Sequence, residues 1–567
     1  MPTVALDKQV IYQIIGEKLS DTALKEKIAM IGTDLESVDE KKINVEIFPN
    51  RPDWLSEQGF ARSFSAFLGK KTGLPKYHVK KSGYAVLVDT SVTMRPYTAC
   101  AIVKNLRFTD ERIREVMQMQ EKLATTHGRN RKKSAYGVYP SKKIAFPIQY
   151  TAKDPSKVLF HALGLDKPLP ASQVEEIHPK AKEYKEVAKG WKKYPFFIDN
   201  KNNVMCMLPY TNSDDTGKID ETTNEVFIEC TGISLDNVSV ALNIFVTMLA
   251  DMDGEIYSID IKYPDKTITT PDLTPKQIVL DINYANKRLG LDLPEQEIKN
   301  LLERMNYGYQ NGGDHKGTVL IPPYRADILH QVDIIEDIAI AYGYENIEEE
   351  LPSEATIAKE DEFEVFKKKI AELLIGLGFF ETSSYHLIDH EFQTTAMNIS
   401  KDKAGHIVSV IDPVSLGYNS LRSMMLPSLL HILQQNCHNE YPQNMFEIGT
   451  TFKKDAGAEA KVTEESHLGV VLCHQTADFT KIKQVYQYLL QMLGLERESS
   501  IEEDNHPSFI QGRVGCWRIA GIQLCTLGEL HPSVISQFGV EMPTVALELN
   551  MTELWKLHRK IAYKKGG

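Results

Sequence analysis

Four carboxylates crowd one short segment, ADILHQVDIIEDIAIAYGY, near the middle of the chain: Asp327, Asp333, Glu336 and Asp337. The last three are spaced i, i+3 and i+4, so they share one face of a predicted helix, where like charges repel by roughly a few tenths of a kcal/mol per pair. The helix dipole offsets part of this repulsion. A hard cation such as Mg²⁺, which takes oxygen ligands, would offset more. Two interpretations stay open here, a Mg²⁺ site and a solvated helix end.

A second candidate is the pair Glu229 and Thr231 in a predicted strand at 226–231. Alternate side chains of a strand share a face, so these two lie about 6.5 to 7 Å apart on one side of the sheet. A carboxylate and a hydroxyl at that separation could line a polar pocket, and Gly232 would let a ligand approach the backbone. The alternative is the exposed face of an ordinary sheet.

A third candidate is the basic run GRNRKK at residues 128–133, here called the basic loop. It supplies Arg129, Arg131, Lys132 and Lys133. Arginine and lysine make most of the sequence-independent contacts to nucleic-acid phosphates, so the run predicts a local phosphate-binding patch. The alternative is ordinary solvated surface charge.

Composition limits the class of protein. The 567 residues carry a net charge of −12, with 42% hydrophobic and 25% charged residues. This balance excludes a disordered or fibrous chain and argues against a general nucleic-acid coat. At roughly 150 residues per domain we expect three or four domains. The seven cysteines form no CxxC pair, which favours a reduced, cytoplasmic chain over a structural zinc site.

We expect neither a secretory leader nor a membrane span. Residues 1–10 lack a basic run followed by an apolar run. The most apolar stretch, at 240–250, is interrupted by Asn243 and Thr247. It is far shorter than the roughly 20 apolar residues that cross a bilayer.

Hydrophobic spacing indicates mixed α and β structure. Stripes at helical spacing predict helices around 235–249, 298–305 and 366–377, the last ended by Gly378. Alternation predicts strands at 226–231 and 257–263. Stretches rich in Gly, Pro, Lys or acidic residues at 69–83, 264–275 and 348–354 divide the chain into about four pieces.

Five motifs follow one another in a fixed order. They are Pro49-Asn-Arg-Pro-Asp53, Phe227-Ile-Glu-Cys-Thr-Gly232, the run from Pro322 to Tyr344, Phe446-Glu-Ile-Gly449 and His506-Pro-Ser-Phe-Ile-Gln-Gly-Arg513. In this order and spacing the chain resembles the beta subunits of phenylalanine–tRNA ligase, in their archaeal and eukaryotic cytosolic form. The resemblance covers nearly the whole chain.

The resemblance implies a multidomain α+β chain with four parts. They are an N-terminal module (1–80), an α/β editing domain of the B3/B4 type (81–268), a small helical, winged-type B5 domain (269–347) and an antiparallel-sheet domain with the class II synthetase fold (355–567). It also implies a cytoplasmic α2β2 heterotetramer with an alpha subunit that holds the synthetic site. The substrates of that complex are ATP, phenylalanine and tRNA(Phe).

The resemblance further predicts that the C-terminal domain is catalytically silent. A working class II site needs an arginine in a Phe-Arg-x-Glu motif and another in Gly-x-Gly-x-x-Arg. Here Phe446 is followed by Glu447, and the Gly-x-Gly at 376–378 is followed by Phe-Phe-Glu381. Without those cations the charge that develops during adenylate formation has little stabilisation.

By the same resemblance, the four carboxylates of the first candidate form a Mg²⁺ site shared with the alpha subunit. The resemblance also implies an editing site that hydrolyses tyrosine wrongly attached to tRNA, made of Met205, Ser213, Glu229 and Thr231. Such a site is needed because an apolar phenylalanine pocket cannot strongly reject an isostere that adds only a hydroxyl. Glu229 could accept that hydroxyl or hold a water.

The chain departs from the family pattern in this region. Archaeal relatives typically read Gly-Val-His-Asp where this chain has Gly137-Val-Tyr139-Pro140, and two expected arginines are replaced by Gly217 and Thr223. These changes remove charged groups, so retained and lost editing are both open expectations. Two other functions stay open: a free-standing deacylase of mischarged tRNA, and a nucleic-acid-binding scaffold that uses residues 272–347.

Overall fold

The computed structural model describes residues 2–351, 353, 356–496, 499–519 and 521–565. The chain forms two compact units, Met1–Leu351 and Pro352–Gly567. The division falls within the acidic run 348–354 that the sequence predicts as a boundary. Pro352 and Glu354 of that run, and the predicted domain start at residue 355, lie outside the described residues.

Strands and helices alternate along the first unit. Its strands are β1 (Thr3–Asp7), β2 (Asp34–Val38), β3 (Lys42–Glu46), β4 (Val79–Val88), β5 (Tyr97–Lys104), β6 (Ser134–Pro140), β7 (Ile148–Lys153), β8 (Leu159–Phe160), β9 (Leu169–Pro170), β10 (Tyr194–Ile198), β11 (Val204–Met207), β12 (Thr211–Asn212), β13 (Val226–Gly232), β14 (Glu255–Lys262), β15 (Thr267–Thr270), β16 (Lys276–Asp281), β17 (Gly308–Gly313) and β18 (Lys316–Ile321). Its α-helices are α1 (Lys8–Ile15), α2 (Asp21–Met30), α3 (Glu57–Phe67), α4 (Asp110–Thr125), α5 (Ala171–Ile177), α6 (Pro179–Glu183), α7 (Asp214–Gly217), α8 (Leu235–Asp251), α9 (Ile282–Leu289), α10 (Glu295–Arg304) and α11 (Gln331–Tyr342).

The N-terminal part of this unit packs α1, α2 and α3 with a small sheet of order β1-β3-β2. The first motif ends here in a buried ion pair. The Arg51 guanidinium donates to both carboxylate oxygens of Asp53, at 3.0 and 2.8 Å, and lies over the Trp54 ring, 3.6 Å from its centroid. A buried charge needs such a partner, so this motif serves the core.

A mixed sheet carries the predicted editing residues. Its order is β12-β11-β10-β7-β4-β14-β5-β13-β6, with β15 beside β14. Strand β4 runs parallel to β7 and β14, whereas β13 is antiparallel to both its neighbours, β5 and β6. One face of β13 shares a core with α8, and its opposite face belongs to a second apolar cluster around Phe227. Every residue of β13 is therefore buried.

The predicted periodic elements are confirmed. The three apolar stripes correspond to α8, α10 and α12 (Glu362–Gly376), and the two alternating segments to β13 and β14. Gly378 follows the end of α12 with φ +84°, a backbone conformation that glycine adopts without a steric cost. These local signals are reliable because each element buries one regular face.

The segment predicted as a small helical module is mixed. Strands β16, β18 and β17 form an antiparallel sheet that shares its core with α9, α10 and α11. The sequence shows no alternation of apolar and polar residues in β16 and β17, because both strands are mostly exposed and polar. The predicted boundaries at 80/81 and 268/269 fall inside β4 and β15. Because backbone pairing disfavours a division within a strand, we propose that these limits lie before Val79 and after Thr270.

The second unit is built on one large sheet. Its strands are β19 (Phe380–Glu381), β20 (Leu387–Ile388), β21 (Ser420–Leu421), β22 (Gln443–Lys454), β23 (Val462–Cys473), β24 (Ser499–Glu503), β25 (Phe509–Ile519), β26 (Ile522–Leu530) and β27 (Thr544–Asn550). Its helices are α12, α13 (Leu426–Gln435), α14 (Phe479–Met492), α15 (Pro532–Gln537) and α16 (Met551–Lys565).

The sheet of the second unit has the order β19-β22-β23-β27-β26-β25-β24. Its pairs are antiparallel except β19–β22. Helices α12, α14 and α16 pack in one apolar cluster, and α13 and α15 in another. Alternate residues of β23 enter the two clusters, so helices cover both faces of the sheet. Among the described residues, no helix is both long and apolar enough to cross a membrane.

Candidate functional site

The acidic cluster (Asp327, Asp333, Glu336 and Asp337) is organised by an arginine of the same motif. The Arg325 guanidinium donates to both oxygens of Asp327, at 2.8 Å each, and to Asp337 Oδ2 at 2.8 Å. Tyr307 also donates its hydroxyl to Asp337 Oδ2, at 2.5 Å. Arg325 and Asp337 are buried. A forked guanidinium is the donor that suits two carboxylates in fixed positions.

Electrostatics follow from this geometry. Burial disfavours the charge on Asp327, but the neighbouring Arg325 outweighs burial and lowers the pKa of that carboxyl. The same carboxylates raise the pKa of the Arg325 guanidinium against its own burial. Both groups are therefore charged, and each compensates the other inside the protein.

The other two acids have different surroundings. Asp333 closes the start of α11, because its Oδ2 accepts hydrogen bonds from the main-chain N–H of Leu329 (2.8 Å) and His330 (2.7 Å). Glu336 is exposed. Two acids thus face a guanidinium, one caps a helix and one faces solvent, an arrangement that does not fit a Mg²⁺ ion held by this chain. Within the described ranges, no group of three or more Asp, Glu, His or Cys side chains is placed to hold a metal.

Glu229 and Thr231 lie on β13 without any exposed surface, so the exposed-face interpretation of this pair is wrong. Glu229 lies between Cys100 of β5 and Gly137 of β6 in register. The Tyr139 hydroxyl lies 3.2 Å from Glu229 Oε1 and 3.0 Å from Asn212 Oδ1. We call Tyr139, Asn212 and Glu229 the Glu229 site.

The surroundings of the Glu229 carboxyl group favour its neutral form. Burial raises the pKa of Glu229 to about 8, although Tyr139 and the more distant Arg95 and Arg131 act in the opposite direction. Glu229 Oε2 has no hydrogen-bond partner among the described residues. A buried polar atom without a partner is costly, so this oxygen marks the place where a further polar group would be stabilised.

The remaining predicted editing residues surround this site. Met205 belongs to the same apolar cluster as Tyr139. Ser213 follows Asn212, and its main-chain N–H donates to the Met205 carbonyl at 2.7 Å. The Ser213 hydroxyl accepts from the Asp215 N–H at the start of α7, and Thr231 donates to the Ala135 carbonyl at 3.5 Å. Both hydroxyls thus serve the backbone.

The two positions that lack the expected arginines are also placed. A Cβ on Gly217 would lie 2.7 Å from the Asn212 Cβ, so the glycine permits α7 to approach Asn212 closely. Thr223 is buried and donates to Asp220 Oδ1 at 3.1 Å. Neither position adds a charge near Glu229.

The basic loop lies beside β13 but presents only part of its charge. Arg131 turns inward, donates to the Pro209 and Tyr210 carbonyls at 3.0 and 2.8 Å, and lies 4.3 Å from the Tyr184 ring centroid. Arg129 and Lys132 are exposed and Lys133 is half-buried. The loop therefore offers two fully exposed cations, because Arg131 is committed to the fold.

Sequence reasoning missed three residues of these sites: Arg95, Asn212 and Arg325. Arg95 is buried and donates to the carbonyls of Arg131 and Thr231, at 2.9 and 2.8 Å. Nothing in its sequence neighbourhood signals this role. Arg325 was open to prediction, because an arginine two residues before Asp327 is the nearest cation to a cluster that needs one.

In the second unit, Glu447, which stands where the family resemblance predicts that an ATP-binding arginine is missing, belongs to an internal ion pair. Glu447 is buried and accepts from Arg422 at 2.7 Å, and the Ser384 hydroxyl donates to the same carboxylate. Gly449 leaves room for this arginine, since a Cβ there would collide with its guanidinium. The negative charge of Glu447 is therefore neutralised by Arg422 within the same unit.

We predict that Arg325→Leu lowers the free energy of unfolding by about 3–5 kcal/mol, because it leaves buried carboxylates without their cation. Chemical denaturation of the full chain measures this loss. Glu336→Gln, an exposed change in the same cluster, should stay within about 0.5 kcal/mol of wild type.

If this chain by itself binds no Mg²⁺, it should unfold at the same temperature in Mg²⁺ and in EDTA. A bound ion would instead raise the unfolding temperature in Mg²⁺ by mass action. A Mg²⁺-dependent rise that Asp333→Ala abolishes would contradict the ion-pair description. Asp333→Ala alone should cost about 1 kcal/mol through the lost helix cap.

Glu229→Gln should change how stability depends on pH. With a folded pKa of about 8 and an unfolded pKa of about 4.3, wild type has the full contribution of this group below the unfolded value. It loses that contribution as the pH rises toward 8. Glutamine does not ionise, so the variant does not lose stability through this group as the pH rises. Its free energy of unfolding relative to wild type should therefore rise by about 2–4 kcal/mol from pH 5 to pH 8. Denaturant titrations at four pH values measure the difference, and a flat difference would refute a neutral Glu229.

Comparison with known proteins places this geometry in a family. The tRNA synthetase B5 domain matches residues 278–344, and the phenylalanyl tRNA synthetase beta chain CLM domain matches residues 347–551. A solved N-terminal fragment of the phenylalanyl-tRNA synthetase beta subunit from Pyrococcus horikoshii is 37% identical, with a TM-score of 0.58. That match covers 60% of this chain and 99% of the fragment.

Relatives match over the full length. The phenylalanine–tRNA ligase beta subunit of Pyrococcus abyssi is 38% identical over 562 residues, which is 98% of this chain and 100% of the relative. That of Archaeoglobus fulgidus is 36% identical over 553 residues, 97% of this chain and 98% of the relative. Since the similarity extends across both chains almost from end to end, this chain belongs to the family of phenylalanine–tRNA ligase beta subunits, a component of an aminoacyl-tRNA ligase.

Proposed function

We propose that this chain is the non-catalytic half of a cytoplasmic α2β2 ligase that joins phenylalanine to tRNA(Phe) with ATP, and that an alpha subunit holds the synthetic site. One observation carries the proposal: the second unit exposes several large apolar side chains between residues 380 and 418. We call them the apolar surface, and they include Phe380, Tyr385, Ile411, Val414 and Leu416. Exposed apolar patches of this kind mark protein–protein contacts.

Three members of the apolar surface lie within residues 411–416. Ile411 is 90% exposed and Leu416 82%, and the Tyr385 ring contacts the Tyr418 ring at 5.9 Å between centroids. The short strands β20 and β21 pair with each other and bring residues 387–388 beside residues 420–421. Because polar residues could replace these side chains at no cost to the core, their apolar character fits a partner that covers them.

The second unit supports a silent class II synthetase-like domain from residue 355 onward. Forming the aminoacyl adenylate places negative charge on the α-phosphate of ATP, which cations must stabilise. At the corresponding place this chain has the neutralised pair Arg422–Glu447. We therefore assign the binding of ATP and of the adenylate to the alpha subunit. We assign residues 81–268 to the editing domain and residues 269–347 to the B5 domain, with their limits moved to the ends of β4 and β15 as described above.

A Mg²⁺ ion shared with the alpha subunit remains a separate proposal from the family resemblance. In this chain Arg325 already supplies the cation for Asp327 and Asp337. Asp333 and Glu336 are the acids that do not contact Arg325. No step of the reaction proposed here depends on that ion.

A second function, hydrolysis of tRNA wrongly charged with tyrosine, is proposed for the Glu229 site. Its support is the buried Glu229 carboxyl, which could accept the hydroxyl that distinguishes tyrosine from phenylalanine. Its Oε1 already lies 3.2 Å from a tyrosine hydroxyl, that of Tyr139, and its Oε2 has no partner among the described residues. Water would add to the ester carbonyl carbon, and the bond to the ribose oxygen would break. One proton of the water would go to the ribose oxygen and the other to solvent, and tyrosine would leave as a carboxylate. The exposed Arg129 and Lys132 provide charges for nearby phosphates.

Co-expression with the cognate alpha chain should yield a complex that forms Phe-tRNA, whereas the chain alone should not. Ile411→Asp with Leu416→Asp should weaken the association at least about tenfold, because each buries a charge at the contact. Ile501→Asp, an exposed apolar position on β24, is the matched control. Affinity purification followed by aminoacylation measures both effects. A stable complex that never charges tRNA would sink the proposal.

Glu229→Ala and Thr231→Ala should each slow the release of tyrosine from Tyr-tRNA by the complex, by about tenfold or more for Glu229, because the hydroxyl acceptor is lost. Phe-tRNA formation should be unchanged in both. Hydrolysis that neither substitution affects would remove this site from the reaction.

A further inference from the structure

Tyr139 occupies the Glu229 site as a substrate tyrosine would. Its side chain has no exposed surface, and its hydroxyl lies within hydrogen-bond distance of Glu229 and Asn212. We propose that Tyr139 is an internal ligand of the Glu229 site. Its ring fills the space that an incoming tyrosine side chain needs, and its hydroxyl occupies the hydrogen-bond acceptor that such a side chain would use.

The packing supports a phenol-shaped space. The Tyr139 ring lies 5.9 Å from the Phe227 ring, centroid to centroid, in the cluster that also contains Met205 and Cys206. Gly137 completes the fit, because a Cβ there would lie 2.6 Å from Glu229 Oε1 and closer still to the Tyr139 hydroxyl. Strand β6 thus carries the Tyr139 ring and, two residues earlier, has a glycine whose missing side chain leaves room for the Tyr139 hydroxyl.

The hydrogen-bond partners also suit a phenol. The Tyr139 hydroxyl donates a shared hydrogen bond to two acceptors, Glu229 Oε1 at 3.2 Å and Asn212 Oδ1 at 3.0 Å. Any para-substituted phenol in this place would find the same two partners.

Because Tyr139 occupies the Glu229 site, it lowers the rate at which the site can hydrolyse Tyr-tRNA. Glu229, Met205 and Ser213 are buried in the closed arrangement, so an external tyrosine enters only when the Tyr139 ring has left. The apparent affinity is then reduced by the fraction of open molecules. This part of the inference rests on the proposed editing function, whereas the phenol-shaped site does not.

The first test replaces Tyr139 by Ala in the full chain and measures binding of p-cresol and toluene by thermal shift and calorimetry. The variant should bind both and prefer p-cresol by about tenfold, because a site built for a hydroxyl rejects the analogue that lacks it. Tyr486→Ala is the matched control. Tyr486 is equally buried, but its hydroxyl has no partner within the described ranges, so that cavity should show no preference for p-cresol.

Tyr139→Phe keeps the ring and should bind neither compound. If Tyr139→Ala fails to fold, p-cresol but not toluene should restore folding during refolding. An equal response to both compounds, or binding of p-cresol by Tyr139→Phe as strongly as by Tyr139→Ala, would overturn the proposal.

The second test uses the complex with the alpha subunit and Tyr-tRNA. Tyr139→Ala should release tyrosine at least about tenfold faster than wild type, since the closed fraction is removed, whereas a purely structural role would lower the rate. p-Cresol should inhibit the variant. Selective p-cresol binding without any hydrolysis would retain the internal ligand and reject the editing function. Faster hydrolysis without selective binding would reject the internal ligand.

Discussion

Desolvation of charged side chains is the constraint on which this structure depends. Three buried arginines, Arg51, Arg325 and Arg422, each lie in or beside a motif of the family, and each donates to a carboxylate within its own unit. Removing a guanidinium from water is costly without acceptors for its N–H groups, and in these three pairs the forked geometry fixes the orientation of the carboxylate. The motifs therefore act first as parts of the core, and their contacts set the local backbone around them.

The same constraint agrees with the proposal that an alpha subunit holds the synthetic site. Cations at Arg325 and Arg422 are neutralised internally, so they cannot stabilise charge on a bound nucleotide. The acceptor at Glu229 is likewise satisfied on one oxygen by the chain's own Tyr139. What the chain leaves available is surface: exposed apolar side chains on the second unit and the exposed cations Arg129 and Lys132. These features suit binding to a protein and to tRNA better than they suit catalysis.

Much of the fold and part of the sites could be predicted. Apolar stripes placed α8, α10 and α12, because a helix that buries one face records that face in its spacing. The placement of Glu229 and Thr231 on one face of β13 followed from the strand period. The burial of that face did not, because it depends on elements distant in sequence. The strands β16 and β17 were missed because their exposed residues carry no apolar alternation.

By itself the sequence determined the helices and strands with a regular buried face, the ordered motifs that identify the family and the clustering of four acids before and within α11. Only the tertiary structure decided how those acids are compensated. Arg325 lies on the same loop as Asp327, yet Asp337 reaches it only when α11 packs beside that loop. The structure also decided that Tyr139 meets Glu229, because β6 and β13 are 90 residues apart at this contact and only their pairing joins them. Sequence spacing records local periodicity, whereas the partner of a buried polar group is set by long-range packing.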